Sequence, residues 1–199
     1  DAIISEPSNL WLAGIANLFS SDFYRICKQR LKPDGFMCQW SHIYYMSMDD
    51  VKTVINTFRS VFPHTTVWFS TVGDILMIGS TKELNIDYLQ LAKNYNIPGV
   101  WEDMQRLNVL EPLALLSSYL MDEDGVIRFT AGAKVNSDDH PILEFSVPKS
   151  IYVDVSPSNR KLMSSFKTGA FPKMANFNEE RVTGRASFWY LLGVAYYYK

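Results

Sequence analysis

Polar residues that can form hydrogen bonds with a ligand follow directly after the first apolar segment of the chain. The first nine residues read Asp-Ala-Ile-Ile-Ser-Glu-Pro-Ser-Asn, which predicts a short strand and then a turn. Ligands of open α/β sheets bind at the carboxyl ends of strands, so residues 5–9 lie where a substrate pocket is expected. There Glu6 can hold or accept a proton, and Ser8 and Asn9 can form hydrogen bonds.

A second set of candidate ligands follows the next predicted strand. Gln39 lies in the strand predicted over residues 36–43, where its amide either contacts a ligand or satisfies the backbone. The aromatic residues that come next are Trp40, His42, Tyr44 and Tyr45. Their rings either hold an organic cation by cation–π attraction or cover the edge of the core.

Neither a metal nor a nucleic acid is predicted as a ligand. Asp138, Asp139 and His140 are adjacent in sequence and cannot all point at one ion, so we expect Asp138 to cap its loop before Pro141. Lys and Arg number 19 against 21 Asp and Glu, which gives no field that would attract a polyanion. The two cysteines, Cys27 and Cys38, have no metal-like spacing and are predicted to be buried thiols.

The elements that must position these residues alternate between strands and helices. Strands are predicted over residues 1–6, 36–43, 65–70 and 74–79, and helices over 15–31 and 48–62, the latter with Ser47 as N-cap. The link at 71–73 is too short for anything but an antiparallel pair. This order predicts the α/β class. Further helices are predicted over 86–95, 99–107 and 111–121, a loop over 136–141, and a linker with one short helix over 148–183.

Several motifs in one register resemble the spermidine synthase (polyamine aminopropyltransferase) family. Residues 1–9, Asn-Leu-Phe at 17–19, Phe-Tyr at 23–24, Leu-Lys-Pro-Asp-Gly at 31–35 and Gln39 resemble its stretch D-x-I-x-x-D-x-S-D-P, N-L-F, F-Y, L-K-P-G-G and Q. Residues 74–80 resemble the family's last strand. Residues 136–145, Asn-Ser-Asp-Asp-His-Pro-Ile-Leu-Glu-Phe, resemble the T-D-D-x-P-x-L-E-F motif of its long, often membrane-fused bacterial branch.

The resemblance implies transfer of an aminopropyl group from decarboxylated S-adenosylmethionine to a polyamine or other small amine. A base must deprotonate the amine, because only a free lone pair can attack. By motif position Glu6 corresponds to the family's first turn carboxylate, and Asn9 corresponds to its catalytic aspartate, although an amide cannot act as a base. The predicted substrate-binding residues are Ser8, Gln39 and Trp40, and the predicted nucleotide-binding residues are Ser5 and Pro7.

The resemblance covers only the carboxyl-terminal half of a Rossmann-like sheet of the S-adenosylmethionine methyltransferase type. No glycine-rich nucleotide loop occurs in the sequence, so we expect the chain by itself to be inactive and to hold neither S-adenosylmethionine nor its decarboxylated form. Two alternatives stay open. One is a noncatalytic protein-interaction module with a retired active site, which Asn9 favours; the other is a methyltransferase, which needs no such carboxylate.

The predicted organisation is a half sheet over residues 1–84, a helical extension over 85–148, a linker over 149–183 and the start of a tetratricopeptide-type helix over 184–199. The last segment contains Trp-Tyr-Leu-Leu-Gly-Val-Ala-Tyr at 189–196, which matches the opening of such a repeat and predicts protein partners. The chain is expected to be truncated at both ends and to self-associate through the exposed edge of its first strand. A cytoplasmic location is expected, with membrane tethering of the intact protein left open.

Overall fold

A mixed sheet of five strands carries the candidate site. The computed structural model, which describes residues 1–178 and 190, has the strands β1 (Ala2–Ser5), β2 (Phe36–His42), β3 (His64–Phe69), β4 (Asp74–Ser80), β5 (Ile86–Asp87), β6 (Tyr119–Met121) and β7 (Met174–Ala175). The five-stranded sheet has the order β1-β2-β4-β3-β6. β1 runs parallel to β2, and β4 runs antiparallel to both β2 and β3. The α/β class is therefore confirmed.

Helices follow the strands β1, β2, β5 and β6. The helices are α1 (Ser21–Arg30), α2 (Met48–Val61), α3 (Tyr88–Tyr95), α4 (Pro98–Arg106), α5 (Pro112–Leu116), α6 (Glu123–Phe129), α7 (Ile142–Ser146) and α8 (Ser156–Ser164). Two 3-10 helices span Ile15–Phe19 and Val147–Ser150. Within these residues no helix combines the length and the hydrophobicity that crossing a membrane requires.

The chain divides into two units, and each is built from two separate stretches of sequence. The first unit contains Asp1–Leu84 and Leu120–Thr168. Of the described residues, the second contains Asn85–Tyr119, residues 169–178 and Tyr190. Residues 120–148 thus fold with the sheet, whereas the predicted boundaries group them with the helical extension. The predicted tetratricopeptide segment at 189–196 lies outside the described residues, apart from Tyr190.

Helix α2 packs on one face of the sheet and forms the centre of the first unit's core. Ser47 is its N-cap, as predicted, and its hydroxyl accepts the backbone N–H of Asp50 at 3.1 Å. Helix α2 lies so close to β4 that a Cβ atom added at Gly79 would lie 2.5 Å from the ring of Phe58. A glycine is therefore required where the helix crosses the strand.

Two predicted helices differ from the structure in extent or type, and one predicted buried thiol differs in its exposure. The single helix predicted over residues 15–31 is a 3-10 turn and then α1, because Ser20 adopts an extended conformation and caps α1 by accepting the N–H of Phe23. The helix predicted over 111–121 ends at Leu116, and Tyr119–Met121 is strand β6. Cys38 is half-buried rather than buried. Burial raises the pKa of the Cys38 thiol and the pKa of the Cys27 thiol.

The second unit combines a small parallel sheet with short helices. Strand β5 pairs with β7 through Ile86 and Met174. The hydroxyl of Tyr95 at the end of α3 donates to the carbonyl of Val109 at 2.6 Å and fixes the turn before α5. Helix α8, in the first unit, is the one short helix predicted for the linker.

Candidate functional site

The turn after β1 and the loop after β2 meet at the carboxyl ends of these two parallel strands. Ser5 lies opposite Gln39 in the β1–β2 register, so the residues that follow each strand emerge side by side. This is the position that the α/β architecture assigns to ligands. The predicted site residues on the turn and on β2 are thus brought to one end of the sheet.

His42 joins the two loops through both of its ring nitrogens. Nε2 accepts the backbone N–H of Leu10 at 3.0 Å, and Nδ1 lies 2.9 Å from the carbonyl oxygen of Tyr44. A carbonyl can only accept, so Nδ1 carries the proton and the ring is neutral. Burial lowers the pKa of His42, against the opposing influence of the Tyr44 carbonyl. His42 is therefore a structural bridge and not an exposed base.

Three aromatic side chains surround this bridge. Trp11, Tyr44 and Tyr45 have ring centroids 5.8 to 5.9 Å apart in each of the three pairs, and every pair is edge-to-face. The ring of Trp11 also lies 4.7 Å from that of His42. We call Trp11, Tyr44 and Tyr45 the aromatic triad. Its faces and edges provide a surface that can bind an organic cation through the ring quadrupoles.

The backbone at Tyr45 is strained. Its φ is 51°, in the left-handed region that bulky side chains rarely adopt, and its side chain is 37% exposed. The other non-glycine residues with positive φ among those described are Asn108 and Asn176, which tolerate this conformation better. Strain of this kind occurs preferentially at functional sites. Tyr45 is the one aromatic residue with a positive φ among those described.

Asn9 contacts the triad through Tyr44. The half-buried Asn9 side chain forms a hydrogen bond with the Tyr44 hydroxyl. Burial raises the pKa of Tyr44, the negative charge of Asp74 raises it further, and the bond from Asn9 opposes the rise. Asn9, Tyr44 and Asp74 therefore belong to one electrostatic cluster. The sequence predicts Asn9 and Tyr44 as candidate ligands, and the fold adds Asp74.

Gln39 and Trp40 lie on opposite faces of β2, because successive side chains of a strand alternate. Gln39 is fully buried, and its amide donates to the carbonyl of Trp40 at 3.0 Å. Its Oε1 is buried and has no hydrogen-bond partner among the described residues. Trp40 is half-buried, with its ring 5.8 Å from that of His42. Only Trp40 reaches the aromatic cluster.

The remaining predicted site residues form the rim of the turn. Glu6 and Ser8 are exposed, and Ser5 and Pro7 are half-buried. Glu6 is therefore open to solvent, where its charge is screened. These residues are available to a ligand approaching along the end of β1.

The segment at 136–145 holds the loop that carries Trp11. The buried Asn136 amide donates to the carbonyls of Ala16 and Phe19, each at 3.2 Å, and its oxygen accepts the N–H of Leu143 at 3.1 Å. Both oxygens of Glu144 accept the N–H of Gly14, at 3.0 and 3.2 Å. This motif is a clamp on the loop after β1.

The loop cap predicted at Asp138 differs in detail. The Asp138 side chain is exposed, and its backbone N–H donates to the carboxylate of Asp22 at 3.0 Å. That bond is the main cause of the lowered pKa of Asp22. The central residue of the loop is Asn136, not Asp138. Across the described part of the chain, no group of three His, Cys, Asp or Glu side chains is placed to hold a metal ion.

Two residues of the cluster, Trp11 and Asp74, are absent from the predicted site. Trp11 follows the predicted turn directly, and a tryptophan next to a strand end was the available signal. Asp74 begins a strand that is otherwise apolar, and a carboxylate there is the corresponding signal. Its pairing with His42 depends on the β2–β4 register, which the sequence does not specify.

Comparison with known proteins identifies no relative: no protein-family model, no curated protein and no solved structure matches the chain.

Proposed function

We propose that the end of β1 and β2 binds an organic amine, and that the chain is part of a spermidine-synthase-like transferase. The observation that carries the proposal is the aromatic triad of edge-to-face rings, in which Tyr44 is hydrogen-bonded to Asn9 and experiences the negative charge of Asp74. Aromatic faces and a carboxylate together suit an alkylammonium group. Each ring contributes about 0.5–2 kcal/mol to binding of such a cation.

The strand arrangement supports the Rossmann-like assignment. Strand β4 is inserted between β2 and β3 and runs against both. A reversed strand between two parallel ones is what a sheet of the S-adenosylmethionine methyltransferase type has near its carboxyl-terminal edge. The turn after β1 then faces the side where a nucleotide would lie.

In this proposal the residues have separate tasks. The sulfonium co-substrate, decarboxylated S-adenosylmethionine, carries the aminopropyl group to be transferred. Ser5 and Pro7 line its side of the turn, Glu6 and Ser8 form the rim, and the triad with Trp40 holds the amine. Gln39 has a structural task in β2, because its buried amide donates a hydrogen bond to the strand backbone.

The proposal is tested by calorimetric titration with putrescine and spermidine, alone and with decarboxylated S-adenosylmethionine or S-adenosylmethionine. We expect the amine to bind and Trp11→Ala to weaken its binding about tenfold, the equivalent of about 1.4 kcal/mol. Trp101→Ala is the matched control, since Trp101 is 47% exposed in the second unit. A parent chain that binds neither amine rejects the proposal.

A noncatalytic protein-interaction module is the second candidate. The side-chain type of Asn9 and the hydrogen bond of Gln39 favour it. Asn9 has no carboxylate, and the Gln39 amide is bonded within its own strand. A methyltransferase lies between the two, because an acceptor that is already nucleophilic needs no base. Product analysis of the intact protein separates them, because the chain by itself is expected to be inactive. Aminopropyl transfer supports the first candidate, and methyl transfer supports the methyltransferase. A folded intact protein that forms neither product supports the module.

A further inference from the structure

The proposed amine site lacks a negative charge where the resemblance expects one. A primary amine is protonated at neutral pH, and position 9 holds a neutral amide. The carboxylate of Glu6 is exposed on the rim and is screened by water. Another group must attract the ammonium ion and receive its proton.

Asp74 is far in sequence from the turn after β1. The sheet nevertheless brings it to the end of β2 where this turn lies. It is the first residue of β4 and pairs with His42, the last residue of β2. The preceding Gly73 accepts the N–H of Ile43 at 2.8 Å. A Cβ at Gly73 would lie 2.8 Å from the ring of Tyr44, so this ring rests on the turn that leads into Asp74.

One oxygen of the Asp74 carboxylate accepts a hydrogen bond, and the other has no partner among the described residues. Oδ2 accepts the hydroxyl of Thr71 at 2.6 Å, which fixes the orientation of the carboxylate. Oδ1 is buried and has no hydrogen-bond partner among the described residues. A buried acceptor without a partner is destabilising, and in a native fold it calls for an explanation such as a ligand.

The charged groups around Asp74 leave it without a counterion. His42 is neutral, because its Nε2 accepts the N–H of Leu10. Arg160, which packs on the same hairpin, donates to the carbonyls of Thr71 and Val72. In the part of the chain that the structure describes, no Lys or Arg forms an ion pair with Asp74.

We propose that Asp74 is the carboxylate of the amine site and replaces the one that position 9 lacks; this inference rests on the proposed function. Oδ1 accepts a proton from the bound ammonium group. The freed lone pair forms a carbon–nitrogen bond with the alkyl carbon of the sulfonium co-substrate. The carbon–sulfur bond breaks with its electrons on sulfur, so the sulfonium becomes a neutral thioether and the proton stays on Asp74 until water removes it.

The test compares putrescine binding by calorimetry in the parent, in Asp74→Asn and in Asp139→Asn, a control that removes an exposed carboxylate from the 136–145 loop. We expect Asp74→Asn to weaken binding about tenfold or more and the control to change it less than about twofold. Adding Asn9→Asp to Asp74→Asn should restore binding, because it returns a carboxylate to the same cluster. Circular dichroism of each variant checks folding.

The outcomes are distinguishable. If the parent binds no amine, the proposed function fails and this inference fails with it. If the parent binds putrescine and folded Asp74→Asn binds it equally well, only the role of Asp74 is rejected. Loss of binding that Asn9→Asp does not restore in the folded double variant also rejects it, because Asp74 then acts on the structure and not on the charge of the ligand.

Discussion

The backbone N–H of Leu10 donates to Nε2 of His42 across 3.0 Å, and this bond holds the imidazole neutral at the meeting point of two loops. Protonation of Nε2 would replace an acceptor with a donor facing an N–H group. The two loops that carry Trp11 and Tyr44 therefore depend on one buried, uncharged ring.

Stability should fall as the pH falls below about 6.5, the usual pKa of histidine. Burial lowers the pKa of folded His42, so between that lowered value and 6.5 the unfolded chain binds a proton that the folded chain does not. The slope from this residue is at most about 1.4 kcal/mol per pH unit. Urea unfolding at pH 7.5 and 5.5 should show a smaller loss in His42→Gln than in the parent. Equal losses would contradict the prediction.

Replacing Asn136 by Ala should destabilise the first unit by about 2–3 kcal/mol. The change removes the side chain that serves the carbonyls of Ala16 and Phe19 and leaves these buried groups unpaired. Chemical denaturation measures the effect. Asn17→Ala, at an exposed position in the same unit, is the control and should change stability by less than about 0.5 kcal/mol. Similar values for both variants would show that the clamp is unimportant.

Substituting Gly79 by Ala should cost about 1–3 kcal/mol through overpacking. The added methyl group would lie 2.5 Å from the Phe58 ring and 2.8 Å from Cβ of Phe62, so helix α2 must move away from β4. Thermal unfolding followed by circular dichroism checks this. Gly99→Ala is the matched control, because nothing lies within 4 Å of the added atom. An unchanged melting temperature for Gly79→Ala would contradict the close packing.

The chain should self-associate through β1, which is an edge strand with Ile4 77% exposed. The Asp1 carbonyl accepts the N–H of Phe36, so by alternation the backbone groups of Ile4 point away from β2. A second copy can pair antiparallel with Ile4 opposite Ile4. Light scattering after gel filtration should show dimers for the parent and for Ile4→Val, and monomers for Ile4→Pro, which lacks the outward N–H. A monomeric parent at all concentrations would exclude this pairing.

Strands with strong periodicity were predictable from the sequence, because local pattern decides them. Strand β2 and helix α2 lie within a residue or two of their predicted limits, since α2 has a serine cap and a proline stop. The break at Ser20 was not predictable, because apolar residues continue at helical spacing through it. Tyr119–Met121 became a strand through its place in the five-stranded sheet, which is a long-range effect that its own residues do not encode.

Only the site residues that lie at or near predicted strand ends were predictable from the sequence. Asn9 follows the end of a predicted strand and Trp40 lies within the next one, and the structure brings both to the aromatic cluster. Asp74 comes to that cluster through strand register, and Asn136 contacts Ala16 across 120 positions of sequence. Local pattern contains no information on such pairings. The positions of Asp74 and Asn136 at the site therefore become visible only in the folded structure.

The division of the first unit into two stretches of sequence has a consequence for biosynthesis. Its core includes Leu120, Phe129, Leu143 and Met163, which leave the ribosome well after Asp1–Leu84. At about 5–20 residues per second, the early strands wait several seconds for these side chains. During that interval β1 to β4 are translated but have an incomplete core. Nascent chains of this protein should therefore be substrates for ribosome-associated chaperones until residue 168 has emerged.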